Sequence, residues 1–176
     1  MQILTLGNEN LRKKAHPITK IGPEYQKIAE ELIKVLHAEN GIGIAGPQVG
    51  LLERIFAIQL KGDSSRIFIN PSIIETSQET SKFEEGCLSV PGIYADIIRP
   101  TIIKVQAWNE NGKPFMIEAS GILARVILHE YDHLEGVLFI DRLPEQKRER
   151  IIAKFEKASQ KQAAKREKKT PKVAAD

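Results

Sequence analysis

Apolar residues at Tyr25, Ile28, Ala29, Leu32, Ile33 and Leu36 recur at helical spacing, which predicts an amphipathic helix over 24–39 laid on a core. Gly22-Pro23 opens it and Asn40-Gly41 ends it. The period then changes. Runs rich in β-branched and aromatic residues predict strands over 54–60, 66–70 and 72–76, separated by the polar stretch 61–65 and by Pro71. A further pair, 101–108 and 114–119, flanks Asn109-Glu110-Asn111-Gly112-Lys113, whose Asn-Gly step signals a hairpin. Ser120 and Gly136 bracket a strongly apolar helix in which Ile122, Leu123, Val126, Ile127 and Leu134 cover more than one narrow stripe, so it should run through the core. Strands grouped in the middle, with helices before and after them, predict an α+β fold with antiparallel sheets. Residues 11–17 close on a proline and read as an extended or turn-rich segment.

Chemistry enters on the helix after Ser120, which carries His129-Glu130-Tyr131-Asp132-His133. Positions i and i+4 lie one turn apart on one face, so His129 and His133 can aim two imidazoles at one point. Glu130 is carried about 100° round the axis, where its carboxylate can reach a water on a metal rather than the metal itself. Asp132 is a candidate for orienting a ligand or pairing with an arginine. His16 and His37 have no partner at ligand spacing and read as ordinary surface or packing residues.

Two further stretches are not explained by core patterning. Residues 41–50 hold four glycines and a proline in ten positions, which lets a backbone come close to something. The stretch lacks the Gly-Lys-Ser/Thr ending of a phosphate loop, and Ile42, Ile44 and Val49 argue that it is packed down. Gln48 is its one side chain able to hydrogen-bond. The second stretch, Phe83-Glu84-Glu85-Gly86-Cys87-Leu88-Ser89-Val90-Pro91-Gly92, contains the single cysteine. Taken alone, Cys87 reads as a small buried hydrophobe. Set against a two-histidine helix that lacks a third ligand, it is the available thiolate, since a hydrolytic metal site uses three protein ligands and one open position.

Composition and charge narrow the class. A chain of 176 residues, 41% of them hydrophobic, suits one domain with a real core plus a tail. No apolar run approaches the roughly 20 residues of a membrane span, and the start of the chain lacks a signal-peptide layout. One cysteine excludes an intramolecular disulfide and fits a reducing compartment, so a cytoplasmic protein is expected. The net charge of +3 is uneven: residues 145–176 carry eleven Lys+Arg against five Asp+Glu, leaving 15 basic against 18 acidic residues for the body. Within 144–169, Pro144 suits a first helical turn and Ile151, Ile152 and Phe155 can dock it. Residues 156–169 have no large apolar side chain and should project into water or onto a partner.

Together, Gly41-Ile42-Gly43-Ile44-Ala45-Gly46-Pro47-Gln48, Glu85 to Ser89 and His129 to His133 resemble the three motifs of the peptide deformylases, GxGLAAxQ, EGCLS and HExxH. Their order and separations match, and the resemblance runs from about Leu4 to Leu143. It implies an α+β fold whose antiparallel sheets wrap a central metal-binding HExxH helix, with a catalytic domain over 1–143 and a basic C-terminal helix and tail over 144–176. It implies one divalent metal on Cys87, His129 and His133, natively Fe(II), with Zn, Ni or Co acceptable. The reaction implied is removal of the formyl group from the N-terminal formyl-methionine of newly made polypeptides, by attack of metal-bound hydroxide with Glu130 as general base. The oxyanion donors fall on the Gln48 side chain and the Leu88 N–H, a substrate-backbone contact on Gly43, and an Arg99 partner on Asp132. The partners implied are nascent formyl-methionyl chains and, through the basic helix, the phosphate-dense ribosome, with no membrane.

Two departures from the family pattern bear on this. Ile44 stands for Leu at nearly equal volume, whereas Gly46 stands for Ala and should loosen the loop that holds Gln48. Tyr94 stands where some members have an arginine reaching toward the substrate backbone. Two other readings compete: a zinc endopeptidase of the HExxH type, with Glu149 or Glu156 as third ligand, and a non-catalytic ribosome- or RNA-binding protein whose structural metal has a closed fourth position.

Overall fold

The apolar repeat that begins at Tyr25 folds as helix α1 (Glu24–Ala38) and buries Tyr25, Ala29, Leu32 and Leu36 in a computed structural model that describes residues 1–169. Asn40 takes the left-handed conformation at φ 53°, and the Gly41 N–H closes the helix on the Leu36 carbonyl at 2.9 Å.

Five strands form one antiparallel sheet in the order β1 (Gly43–Ala45), β2 (Ile55–Ile58), β3 (Arg66–Thr76), β6 (Ile102–Trp108) and β7 (Pro114–Ser120). All four residues of β2 are buried, because helices cover both faces of the sheet there. Ile55 and Ala57 pack toward α1 beside Leu32 and Leu36, while Phe56 and Ile58 pack toward Val126, Ile127 and Leu134 of helix α2 (Gly121–Leu134). Each such large side chain contributes about 1.5–3 kcal/mol by leaving water, and alternation along a strand is what lets one short run serve two cores. The β6–β7 hairpin forms as expected, with the Asn109 carboxamide accepting from the N–H groups of Asn111 and Lys113 at 3.0 Å.

Two expectations about strands are corrected. Residues 66–70 and 72–76 are one strand, not two, because Pro71 sits in a bulge: pairing with β6 shifts register between Ile69 and Ser72, and Asn70 turns to φ 48°. A bulge is where a sheet tolerates a residue without a donor. The second sheet, β4 (Thr80–Cys87) paired with β5 (Val90–Pro100), was not expected at all. Thr80 to Glu84 are all exposed, so β4 carries no apolar alternation, and Pro91 and Gly92 resemble breakers. The inner face of β5, with Ala95 and Ile97, packs on Leu138, Phe139 and Ile140.

Helix α2 starts after Ser120 as expected, although the Ser120 side chain makes no capping bond; the Gly121 N–H goes instead to the Thr101 carbonyl at 3.0 Å. The helix touches strands of both sheets, which makes it the element that joins them. Helix α3 (Glu145–Lys169) is docked by Ile151 and Ile152 on the β5 cluster, and residues 156–165 are exposed. Among the described residues no helix is long and apolar enough to cross a membrane.

Candidate metal centre and active-site cavity

Three elements meet at one point. Helix α2 brings His129 and His133, whose rings lie 5.2 Å apart. The two-residue turn Leu88-Ser89 between β4 and β5 brings Cys87, which pairs with Val90 across the turn. The short 3-10 turn Gly46–Val49 after β1 brings Gln48. One ligand atom from each of Cys87, His129 and His133 falls within 4.8 Å of the others, and Cys87 Sγ lies 3.3 Å from His133 Nε2. His129 turns Nδ1 to the Glu85 carboxylate at 2.9 Å, which leaves Nε2 as its nitrogen for a metal. A carboxylate behind a ligating imidazole is the usual way such a ring is oriented. Two imidazoles and a thiolate converging in this way fit a single divalent ion.

Glu130 stands beside this group with Oε2 buried and unpartnered among the described residues. Burial, opposed by the charges of His129 and Arg99, pushes its carboxyl up to about 7, a value suited to taking and returning a proton near neutrality. Burial disfavours protonating His129, yet its hydrogen bonds to Cys87 and Glu85 push it up to about 10. Burial, joined by the His129 charge, drives His133 well below the ordinary range. Metal loading requires neutral imidazoles and a thiolate, so it releases protons from this cluster.

Gly43 is explained by close approach: a Cβ there would lie 2.3 Å from Glu130 Oε1, so only glycine leaves room for the carboxyl. Gly46 corrects an expectation. A Cβ there would lie 2.7 Å from the Leu51 carbonyl and 3.0 Å from that of Glu53, so the glycine lets two backbones touch and does not loosen the Gln48 turn. Gln48 is itself held on three sides: Oε1 accepts from the Ala45 N–H at 2.8 Å, and Nε2 faces Ser89 Oγ at 3.2 Å and Cys87 Sγ at 3.5 Å.

A cavity of about 500 Å³ opens over this group, with Ile42, Gly43, Gln48, Leu88, Tyr94 and Ile122 among its walls. Tyr94 is 66% exposed and lays its ring over Gly86, where a Cβ would lie 2.6 Å from Tyr94 Cε1. A larger cavity of about 670 Å³, at the base of α3, is lined by none of Cys87, His129 and His133. Glu149 and Glu156 are exposed on α3 and belong to no ligand cluster among the described residues, so the endopeptidase reading has no third ligand. A closed structural site lacks its fourth residue for the same reason.

Four residues of the network behind the site escape sequence reasoning. Arg99 reaches Asp132 at 2.9 Å, as expected, but its other edge holds Glu85 at 2.6 and 2.9 Å. Arg125 also donates to Glu85, at 2.7 Å, and Arg142 grips Asp132 at 2.7 and 2.6 Å. Ser89 is fully buried against Gln48. A signal for Arg125 exists: a charge inside an apolar helical run, one turn before His129. Burial opposes ionisation of Glu85, but hydrogen bonds and charges from Arg99 and His129 hold its carboxyl far below the usual carboxylate range.

Comparison with known proteins fits this geometry. Residues 1–149 match the family model described as polypeptide deformylase. Among similar proteins, a peptide deformylase of Treponema pallidum (strain Nichols) is 40% identical over 155 residues, which is 88% of this chain and 95% of that one. Peptide deformylase 1 of Clostridium perfringens is 48% identical over 135 residues, 76% of this chain and 91% of that one. A crystal structure of a peptide deformylase from Legionella pneumophila superposes with a TM-score of 0.85 at 35% identity, covering 97% and 98% of the two chains. One from Synechococcus elongatus in complex with actinonin gives 0.82 at 37% identity, covering 87% and 84%.

The buried carboxylate yields a stability test. Glu85→Gln keeps the volume but leaves Arg99 and Arg125 without their counter-charge, and breaking a buried pair from one side costs about 3–5 kcal/mol. Thermal unfolding should show a drop in Tm of about 10 °C; an unchanged Tm would remove Glu85 from its structural role.

Proposed function

Because the chain belongs to the polypeptide deformylase family, we propose that the cavity over Cys87, His129 and His133 is where it removes the N-formyl group of a nascent polypeptide. The chain is an enzyme, a hydrolase of protein biosynthesis, and its substrate is the formyl-methionyl end of a new chain. The proposed ligands are Cys87, His129 and His133, with Fe(II) as the native ion and Zn, Ni or Co as acceptable substitutes for the same donors. What supports this most is the convergence of three ligand atoms within 4.8 Å beside a buried carboxylate oxygen that has no partner among the described residues.

The ion supplies Lewis-acid chemistry when bound, acidifying water and polarising a carbonyl. Glu130 accepts a proton at Oε2 from the water whose oxygen bonds to the formyl carbon. Charge then develops on the formyl oxygen, where Gln48 Nε2 and the Leu88 N–H donate, each worth on the order of 3 kcal/mol in the transition state. Glu130 delivers its proton to the departing nitrogen as the C–N bond breaks, giving formate and a free amine. The Gly43 backbone borders the cavity and is read as a contact for the substrate chain. Arg99 and Asp132 act behind the site, on Glu85 and so on His129.

The proposal extends to the chain's organisation. Residues 1–143 are read as the catalytic domain and 144–176 as a basic helix and tail, of which 170–176 lie outside the described residues. The exposed stretch from Glu156 is read as a source of salt-sensitive, sequence-independent attraction to the ribosome, with the cytoplasm as the proposed location.

Two measurements check this reading. Glu130→Gln should keep its metal while turnover of a short formyl-methionyl peptide falls at least about a hundredfold; near-normal turnover would remove Glu130 from the mechanism. Truncation after Phe155 should leave that turnover nearly intact and weaken co-sedimentation with ribosomes at low salt. Equal sedimentation by full-length and truncated protein would overturn the role given to the helix.

A further inference from the structure

The carboxamide of Gln48 is 1% exposed and has each polar position assigned. The Ala45 backbone N–H meets Oε1 at 2.8 Å. A backbone N–H can only donate, so this contact fixes which end of the amide is oxygen and forbids a flip. The two hydrogens of Nε2 are left for Ser89 Oγ at 3.2 Å and for the Cys87 side of the cavity, with Sγ at 3.5 Å. The Ser89 oxygen, itself fully buried, takes one of these two hydrogens. The other hydrogen is thereby left for Cys87 Sγ and the cavity beside it.

The backbone holds the two partners together as well. The N–H groups of Leu4 and Leu6, alternate residues of the N-terminal segment, donate to the carbonyls of Gln48 at 2.7 Å and of Ser89 at 2.8 Å. One extended strap thus fixes the spacing between the turn that carries Gln48 and the turn that carries Cys87, Leu88 and Ser89. Neither contact is between neighbours in sequence: Leu4 and Gln48 are 44 positions apart, and Leu6 and Ser89 are 83 apart.

We propose that Ser89 is a positioning residue for the reaction: its hydroxyl oxygen sequesters one Gln48 N–H so that the other is aimed at the developing oxyanion. This rests on the reading of Gln48 as an oxyanion donor. Removing the Ser89 acceptor leaves a buried N–H unpaired, and the amide rotates to share its hydrogens differently, which misaims the donor without touching the substrate-binding walls. Such a loss falls on kcat rather than KM.

The test is a double-mutant cycle on metal-loaded full-length enzyme with a short formyl-methionyl peptide. Ser89→Ala should lower kcat about tenfold, a fraction of the loss of a whole oxyanion donor, with KM and metal content unchanged. In a Gln48→Ala background the same substitution should change kcat by less than about twofold, because residues that act through one another are not additive. An equal loss in both backgrounds, or no loss in the single variant, would overturn the proposal. Wild-type kcat in Gln48→Ala would instead remove the donor reading of Gln48, and this inference with it, whatever Ser89→Ala does. If Ser89→Ala fails to fold or to hold metal, Ser89→Cys, close in size but a weak acceptor, carries the same cycle with the same outcomes.

Discussion

The Glu85 carboxylate is the constraint on which the rest of the site depends. It lies 6% exposed and receives four donors: Arg99 twice, Arg125 once and His129 once. A carboxylate removed from water costs several kcal/mol unless it is paired and hydrogen-bonded. Here the partners that satisfy it come from β5 and from two successive turns of α2. Satisfying the charge therefore locks the small sheet onto the helix, and the same bond that satisfies Oε2 fixes the tilt of His129. Stability and the orientation of the His129 ring are consequences of one interaction.

Helix α2 can play this part because its faces are used differently. Val126, Ile127 and Leu134 go into the core against the five-stranded sheet, while Arg125 and His129, one turn apart, turn to Glu85. Glu130 occupies the remaining direction, against Gly43 at the edge of the large sheet. The buried charges are thus distributed by helical periodicity, and each meets a different neighbouring element. Residues that a polar loop could not hold steady are placed on a helix buried against both sheets.

Much of this was legible in the residues, for reasons that differ by element. The i, i+4 spacing of His129 and His133 is a property of helix geometry and needs no tertiary information. Helix α1 and the β6–β7 hairpin announce themselves by period and by Asn111-Gly112. The β4–β5 hairpin does not, because its outer strand is polar and its inner strand carries Pro91 and Gly92 directly after its first residue, Val90. With that hairpin unread, the links from Glu85 to Arg99 and Arg125 were invisible: they run through space between residues 14 and 40 positions apart. Pro71 misled because a bulge accommodates it, and Gly46 because its neighbours, the carbonyls of Leu51 and Glu53, come from the following loop. Cys87 enters the candidate ligand set only when the lone thiol is set against an incomplete pair of histidines, and through the resemblance of the surrounding motif.

The central claim is that a thiolate and two imidazoles from separate elements share one ion. X-ray absorption at the metal edge of zinc-loaded protein measures this directly. The account expects one sulfur at about 2.3 Å and two imidazole nitrogens at about 2.0 Å. A coordination shell without sulfur, or with carboxylate oxygen from the protein in its place, would contradict it.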